Sequence, residues 1–182
     1  NMVIVDDDIA LPDLPQSRGV AGTLFVHKIA GAMAESGASL EDITAAAERV
    51  IRGTSSIGMS LDTCTVPGSP KEHRVGPGKA ELGLGIQGEA GGQQIDYRNA
   101  EQAMAAVTSK LAAVMEPGSH VVLLNNLGGA TELEMSILAN DLVLSAGGFR
   151  EQPSHTLLAG GIGGYLSLFF LPKSQYVALQ HY

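Results

Sequence analysis

A glycine-rich turn after an apolar run is the first place where this sequence could bind a ligand. Residues 121–124 are all apolar, and the turn after them contains Asn125, Asn126, Gly128 and Gly129. Backbone N–H groups at a helix N-terminus favour an anion, and glycines let a ligand approach the main chain closely. The turn therefore predicts a contact to a phosphate group or a polyol. The alternative is an ordinary strand-to-helix turn, because Thr131 and Glu134 complete a capping box and the turn lacks the lysine of a P-loop.

Residues 83–88 form a second glycine-rich stretch, Gly83-Leu84-Gly85-Ile86-Gln87-Gly88, which matches the dinucleotide-binding pattern letter for letter. That pattern requires a strand before it and an apolar helix after it. Here the stretch is followed by Glu89-Ala90-Gly91-Gly92, which does not open such a helix. We therefore predict no dinucleotide site.

The five histidines and the single cysteine do not form a metal-binding or nucleophile pattern. No two histidines have the spacing of a zinc-binding helix, and Cys64 stands alone. His27 lies in a predicted helix and is interpreted as structural, His73 lies in a charged loop, and His155 could face a cleft. The sequence therefore predicts no metal ligands. It also shows no Ser/His/Asp arrangement that would indicate nucleophilic catalysis.

Four helices are predicted from apolar residues at helical spacing and from capping residues. The first begins at Thr23 and ends at Gly37, and the second begins after Ser39, whose capping partner is Asp42. The turn between them is short, which is typical of a helical hairpin. The same signals place the starts of the third and fourth helices at Asn99 and Thr131.

Strands are predicted where apolar residues alternate or run together. They are expected at residues 2–5, 58–66, 81–86, 121–124, 156–159 and 165–171. Strands and helices alternate through most of the chain, which is typical of an α/β domain. We predict an α/β fold with a mixed sheet and flanking helices, including the helical hairpin near the N-terminus, in a single domain over residues 1–182.

Composition and charge exclude several classes of protein. The chain has 182 residues, of which 45% are hydrophobic and 16% charged, as expected of a globular domain. Its net charge of −8 disfavours binding to nucleic acid or to anionic membrane surfaces. No apolar stretch approaches the roughly 18 residues of a membrane span. One cysteine is typical of a reducing compartment, so we expect a cytoplasmic location.

The chain opens on an apolar run with nothing before it. Met2 to Val5 is interpreted as a short buried strand, and a natural chain rarely begins inside a strand without an initiator methionine. We expect that the natural chain has an upstream segment, the alternative being a single residue added before Met2. A strand without its neighbour leaves an edge or face uncovered, which predicts a symmetric homodimer or an exposed apolar patch.

Several long stretches resemble the dihydroxyacetone kinase family. Residues 18–32 read RGVAGTLFVHKIAGA, residues 81–91 read ELGLGIQGEAG, residues 125–129 read NNLGG, and residues 64–67 read CTVP. These stretches occur in the family's order, from the N-terminus to about Leu144. The chain is identified as resembling the second half of the K-type, or substrate-binding, subunit of dihydroxyacetone (glycerone) kinase.

The resemblance implies how such a unit would work. In the family, the K-type subunit holds a short-chain ketose while the phosphoryl group comes from ATP on a linked L-type domain, or from a nucleotide-bearing L-type subunit recharged by a phosphotransfer chain. The first half of the K-type subunit carries a Gly-Gly-Gly-Ser-Gly-His type motif and the acid/base groups, and that motif is not found here. The resemblance therefore implies that this chain binds no cofactor of its own, and that the donor is supplied in trans.

The second half of the family's subunit contributes a histidine that adds to the substrate carbonyl as a hemiaminal, in a Gly-Ile-His-Gly-Glu stretch. This sequence has Gln87 at that place. An imidazole nitrogen has an available lone pair, whereas an amide nitrogen is delocalised and cannot attack a carbonyl. The resemblance thus places substrate contacts at Gln87, Glu89, Asn125, Asn126 and Gly128, with hydrogen bonds in place of the covalent step. The sequence also departs from the family near residues 160–164, which form a shorter bridge between the last two strands.

Three hypotheses follow for the function. In the first, the chain is the carbonyl-side half of a ketose or polyol kinase subunit that is inactive alone. In the second, it is a catalytically silent relative that binds a small polyol or acts as a regulator. In the third, it is a stable structural fragment without activity.

Overall fold

The computed structural model describes residues 1–10, 18–63, 68, 70, 73–83, 90–115, 120–126 and 130–145, together with the backbone of two later strands. The elements in chain order are α1 (Thr23–Glu35), α2 (Leu40–Arg52), β1 (Ser55–Ser60), β2 (Lys79–Leu82), β3 (Gln93–Asp96), α3 (Ala100–Ala112), β4 (His120–Asn126), α4 (Glu132–Ser145), β5 (His155–Gly160) and β6 (Tyr165–Pro172).

The six strands form one mixed sheet in the order β3-β2-β1-β6-β4-β5. Strands β4 and β5 are parallel, and the other four neighbouring pairs are antiparallel. At the centre of the sheet, Gly58 of β1 and Asn125 of β4 both pair with Ser167 of β6, so these three residues lie on one row. The predicted α/β class with a mixed sheet and flanking helices is confirmed.

Helices cover both faces of the sheet. Val121 and Leu123 of β4 pack with residues of α1 and α2, whereas Val122 and Leu124 pack with residues of α3 and α4. Successive side chains of a strand point to opposite faces, so these two clusters are the two sides of the sheet. This position explains the continuous apolar run of β4, which is buried on both faces. Helices α1 and α2 also pack against each other as the predicted hairpin.

Local capping explains where the helices begin and end. Ser39 Oγ accepts a hydrogen bond from the Asp42 backbone N–H at 3.1 Å. Asn99 Oδ1 accepts one from the Gln102 N–H at 3.0 Å, and α1 is followed by Gly37 with φ +82°. These three signals confirm the predicted helix boundaries because each acts within a single turn.

The prediction of a buried strand at residues 2–5 was wrong. No strand forms there, and the side chains of Met2 and Ile4 are 85% and 66% exposed. Val3 and Val5 are partly buried against the α1–α2 cluster, which accounts for the alternating pattern. The segment first pairs with the sheet at Asp8, which forms an isolated parallel bridge to Ser56.

The hairpin of β2 and β3 corrects two further predictions. β2 begins at Lys79 and is followed by Gly83 with φ +79°, so the predicted strand does not continue through residue 83. β3 was not predicted, because three of its four residues are polar and only Ile95 is partly buried. β1 also begins three residues earlier than predicted, at Ser55.

The outer face of α4 is apolar in places. Leu133, Ile137 and Leu144 are exposed along it, while Met135 and Leu142 are buried on its inner face. Among the residues that the structure describes, no helix is long and apolar enough to cross a membrane.

Candidate functional site

The five predicted contact residues fall into two groups. Asn125 and Asn126 end β4 and are half-buried. Gln87, Glu89 and Gly128 lie outside the described residues. The site can therefore be built from the residues that flank them.

Strand register relates the two parts of the predicted site. The Gly83 N–H donates to the Gly58 carbonyl at 2.7 Å, and Gly58 lies on the same row of the sheet as Asn125. Gly83 and Asn125 are thus separated by three strand spacings, or about 14 Å at about 4.8 Å per spacing. The end of β2, from which the chain continues to Gln87, is therefore on the same row of the sheet as Asn125, the first polar residue at the end of β4.

The two adjacent asparagines of β4 belong to opposite faces of the sheet. Asn125 follows Leu123 on the α1–α2 side, and Asn126 follows Leu124 on the α3–α4 side. The Asn126 side-chain amide donates to the Ala130 carbonyl at 2.7 Å and accepts from the Ala130 N–H at 3.4 Å. Asn126 therefore closes the turn into α4. Ala80 and Leu82 of β2 lie on the α3–α4 side of the sheet. Glu81, which lies between them, is on the opposite face, and this is the face of Asn125.

The start of α4 carries its own anion. The Glu134 carboxylate accepts hydrogen bonds from the Thr131 backbone N–H at 2.7 Å and from the Thr131 hydroxyl at 2.8 Å. These bonds lower the pKa of Glu134 below its ordinary value, and the backbone bond has the larger effect. The Glu134 N–H in turn donates to Thr131 Oγ1 at 3.3 Å. A phosphate at this helix start would compete with the Glu134 carboxylate, whereas an uncharged polyol would not.

A buried carboxylate, Asp7, ties the N-terminal segment to α1 and β1. Asp7 Oδ1 accepts from the Val20 N–H at 2.8 Å, and Oδ2 accepts from the Gly22 N–H at 2.9 Å and from the Ser56 hydroxyl. Gly22 is the N-cap of α1, which has no side-chain cap of its own. Asp7 thus caps α1 from a distant part of the chain, where the helix dipole favours a negative charge.

The next residue, Asp8, holds the end of β2 through an arginine. Asp8 Oδ2 accepts from Arg18 Nε at 2.8 Å and from an Arg18 terminal nitrogen at 2.5 Å. The same terminal nitrogen also donates to the Gly83 carbonyl at 2.5 Å. The Asp8 side chain is 2% exposed and that of Arg18 16%. The hydrogen bond from Arg18 to the Gly83 carbonyl joins residues 65 positions apart.

A second ion pair with a buried carboxylate lies at the other end of the segment that carries Gln87. Glu81 Oε2 accepts from Arg74 Nε at 3.0 Å, and Glu81 Oε1 accepts from the Gly91 N–H at 2.8 Å. The Glu81 side chain is 5% exposed. The sequence reasoning missed Asp7, Asp8, Arg18 and Glu81, although an α1 start without a side-chain cap was a signal that a distant acid was needed.

These charged groups hold parts of the backbone in position. Among the residues that the structure describes, the buried carboxylates of Asp7, Asp8 and Glu81 each accept at least two hydrogen bonds, which hold them in place. In the described part of the chain, no three His, Cys, Asp or Glu side chains converge where they could hold a metal ion. His27 and His73 are exposed.

Comparison with known proteins places this architecture in one family. The family model of the Dak1 domain matches residues 1–155. "Dihydroxyacetone kinase" of Citrobacter freundii is 44% identical over 149 residues, which cover 79% of this chain and 26% of that protein. The dihydroxyacetone-binding subunit DhaK of the PTS-dependent dihydroxyacetone kinase 1 of Listeria innocua is 40% identical over 149 residues, covering 77% of this chain and 45% of the subunit.

Solved structures agree with the sequence comparison. The crystal structure of the C. freundii kinase in its native form superposes with a TM-score of 0.86 at 35% identity, over 98% of this chain and 34% of that one. The structure entitled "Dihydroxyacetone kinase operon co-activator Dha-DhaQ" superposes with a TM-score of 0.85 over 98% of this chain and 58% of its own, at 24% identity, which shows a shared fold. The chain spans less than half the length of both curated relatives described above.

Proposed function

Because the chain belongs to the Dak1 domain family, we propose that it is the carbonyl-side half of the substrate-binding, K-type part of a dihydroxyacetone kinase or of a related short-chain ketose or polyol kinase. The observation that carries this proposal is the Dak1 match over residues 1–155, which includes Gln87, Glu89, Asn125, Asn126 and Gly128. A relative whose name says that it binds dihydroxyacetone is 40% identical over most of the same region.

In this proposal the substrate is held by hydrogen bonds alone. Gln87 stands where the resemblance implies a covalent histidine, and its amide nitrogen has no lone pair to add to a carbonyl. A net hydrogen bond contributes about 0.5–1.5 kcal/mol, and this half of the site offers only a few. Binding to the isolated chain is therefore weak, with a dissociation constant of about 1 mM or higher.

The phosphoryl donor is proposed to act from outside this chain. ATP or a nucleotide-bearing L-type partner supplies the phosphoryl group, and this chain binds no cofactor itself. We also propose that the protein is cytoplasmic, since a single cysteine is typical of a reducing compartment. We propose further that it assembles as a homodimer, because Leu133, Ile137 and Leu144 leave apolar surface exposed on α4. Sedimentation of a monodisperse monomer would contradict the homodimer.

Binding is tested by titrating the ¹⁵N-labelled chain with dihydroxyacetone and with glycerol. We expect saturable shifts in the parent chain, weaker binding in Gln87→Ala, and parent-like binding in Gln93→Ala, which removes an exposed glutamine from β3. Gln87→His restores the nucleophile, so native mass spectrometry should show an adduct of one dihydroxyacetone in that variant alone. No saturable binding by the parent chain would overturn the proposal.

Activity provides an independent test. The isolated chain should not phosphorylate dihydroxyacetone, even with ATP and an L-type partner, because the first half of the family's subunit supplies the acid/base groups. A coupled assay measures turnover against a control without protein. Turnover above that control would show that this chain carries the catalytic groups.

A second candidate function is a polyol-binding or regulatory module without phosphoryl transfer. The likeness in fold to the operon co-activator favours it, together with Gln87 in place of the nucleophile. The two candidates differ when the chain is joined to the first half of a K-type subunit and mixed with an L-type partner and ATP. Turnover under those conditions supports the kinase component, and binding without turnover supports the regulatory module.

A further inference from the structure

Two ion pairs, each with a buried carboxylate, lie at the two ends of the segment that carries Gln87. We propose that Arg18 and Glu81 are positioning residues for substrate binding, acting through the backbone of Gly83 and Gly91. The inference rests on the proposed function, because it concerns how Gln87 is presented to a ketose or polyol.

At the first end, the N-terminal segment occupies the edge of β1 next to Gly83. The Ile9 N–H donates to the Ser56 carbonyl at 2.9 Å, so this segment occupies the edge of β1 beyond the point where β2 stops. A Cβ at Gly83 would lie 2.2 Å from the Ala10 Cβ, and Gly83 has φ +79°. β2 therefore cannot continue, and Arg18 fixes its exit by donating to the Gly83 carbonyl.

At the second end, a carboxylate fixes where the chain returns to the sheet. The Glu81 carboxylate accepts the Gly91 N–H at 2.8 Å, and the Gly92 N–H donates to the Leu82 carbonyl at 2.9 Å. A Cβ at Gly91 would lie 2.4 Å from the Leu82 carbonyl oxygen, so only glycine fits this close approach. Arg74 holds the Glu81 carboxylate in place from its other oxygen.

The two anchors share one design. In each, one member of an ion pair whose carboxylate is buried makes a further hydrogen bond to the backbone of a glycine. Charge-assisted hydrogen bonds are roughly twice as strong as neutral ones, which suits groups that must keep a fixed position. Fixing both ends of a segment reduces the conformational freedom that a ligand must remove when it binds, and so improves affinity without a direct contact.

The test compares ligand binding with stability in matched variants. Arg18→Lys retains the charge, but a single ammonium cannot reproduce the planar fork that reaches both Asp8 and Gly83. Lys79→Gln controls for loss of charge in the same hairpin, because it breaks only the exposed pair between Lys79 and Asp96. Val50→Ala controls for loss of stability, because it removes two methyl groups from the α1–α2 cluster.

Dihydroxyacetone is titrated into each variant at a temperature well below its melting temperature. We expect the dissociation constant to rise by about fivefold or more in Arg18→Lys, and to stay within about twofold of the parent in both controls. Glu81→Gln provides the second measurement, since amide exchange at Gly91 should accelerate there while exchange in β1 stays at the parent rate.

The outcomes separate this inference from the proposed function. If the parent chain binds no ketose or polyol, the proposed function and this inference both fail. If the parent binds and Arg18→Lys binds equally well, only the positioning role fails. If Val50→Ala weakens binding as much as Arg18→Lys does, the ion pairs serve stability alone and the inference is overturned.

Discussion

Replacement of Asp7 should destabilise this domain more than its position in an irregular N-terminal segment indicates. The Asp7 carboxylate is buried and accepts hydrogen bonds from the Val20 N–H, the Gly22 N–H and the Ser56 hydroxyl. Asp7→Ala would leave all three donors without this acceptor. A buried donor left unsatisfied costs about 1–3 kcal/mol, although the hydroxyl can rotate to another partner.

These contributions predict that Asp7→Ala lowers the free energy of unfolding by about 3–5 kcal/mol. That is a large part of the roughly 5–15 kcal/mol of a typical domain, so Asp7→Asn is the more tractable variant. Its amide keeps one acceptor oxygen but turns an N–H₂ towards donors. We expect Asp7→Asn to cost about 1–3 kcal/mol.

The assay is urea denaturation followed by far-UV circular dichroism, with Asp6→Ala as the matched control. Asp6 is the adjacent residue of the same type and is exposed, so its replacement should change the free energy of unfolding by at most about 0.5 kcal/mol. The slope of the free energy of unfolding against urea concentration should be the same in all variants, provided that the replacements do not change the surface exposed on unfolding. Equal effects of Asp7→Ala and Asp6→Ala, within about 0.5 kcal/mol, would refute the capping role of Asp7.

Two more predictions concern a glycine and a carboxylate. Gly83→Ala should lower the free energy of unfolding by about 2–4 kcal/mol, because backbone strain at φ +79° is combined with a steric contact to Ala10. Gly37→Ala is the control, since it adds only strain at φ +82° and should cost about 1 kcal/mol. Equal losses of stability in urea denaturation would argue against the contact with Ala10. Glu134 should titrate below the ordinary range for glutamate in a carboxyl ¹³C NMR titration, and Thr131→Val should raise its pKa by removing the hydroxyl bond. Because the folded-state pKa is the lower one, Glu134 stabilises the start of α4 above its unfolded-state pKa and loses this effect as the pH falls through the folded-state value; a pKa unchanged by Thr131→Val would contradict the role of the hydroxyl.

The sequence predicted a candidate site but not the arrangement of its residues. The glycines around Gln87 and the asparagines at the end of β4 were visible as motifs, and the strand register shows that Gly83 and Asn125 lie on one row of the sheet. The sequence could not show that Asn125 and Asn126 belong to opposite faces, since that depends on which residue β4 ends at. It also gave no sign that Arg18 reaches Gly83, because nothing in the pattern links positions 65 residues apart.

The sequence by itself determined where α2 and α3 begin and where α1 ends. Ser39 with Asp42, Asn99 with Gln102, and the glycine after α1 act within one helical turn, so their partners are fixed by spacing alone. The continuous apolar run of β4 likewise predicted a strand covered on both faces.

Only the tertiary structure decided the ends of the sheet and the buried charges. β3 exists because its backbone pairs with β2, although its own side chains are mostly polar. Residues 2–5 are not a strand, and among the described residues they have no strand partner. Asp7, Asp8 and Glu81 looked like ordinary acids until the fold placed donors around them. The physical reason is the same in each case: a strand or a buried charge is stabilised by groups far away in the chain, and only folding brings those groups within hydrogen-bonding distance.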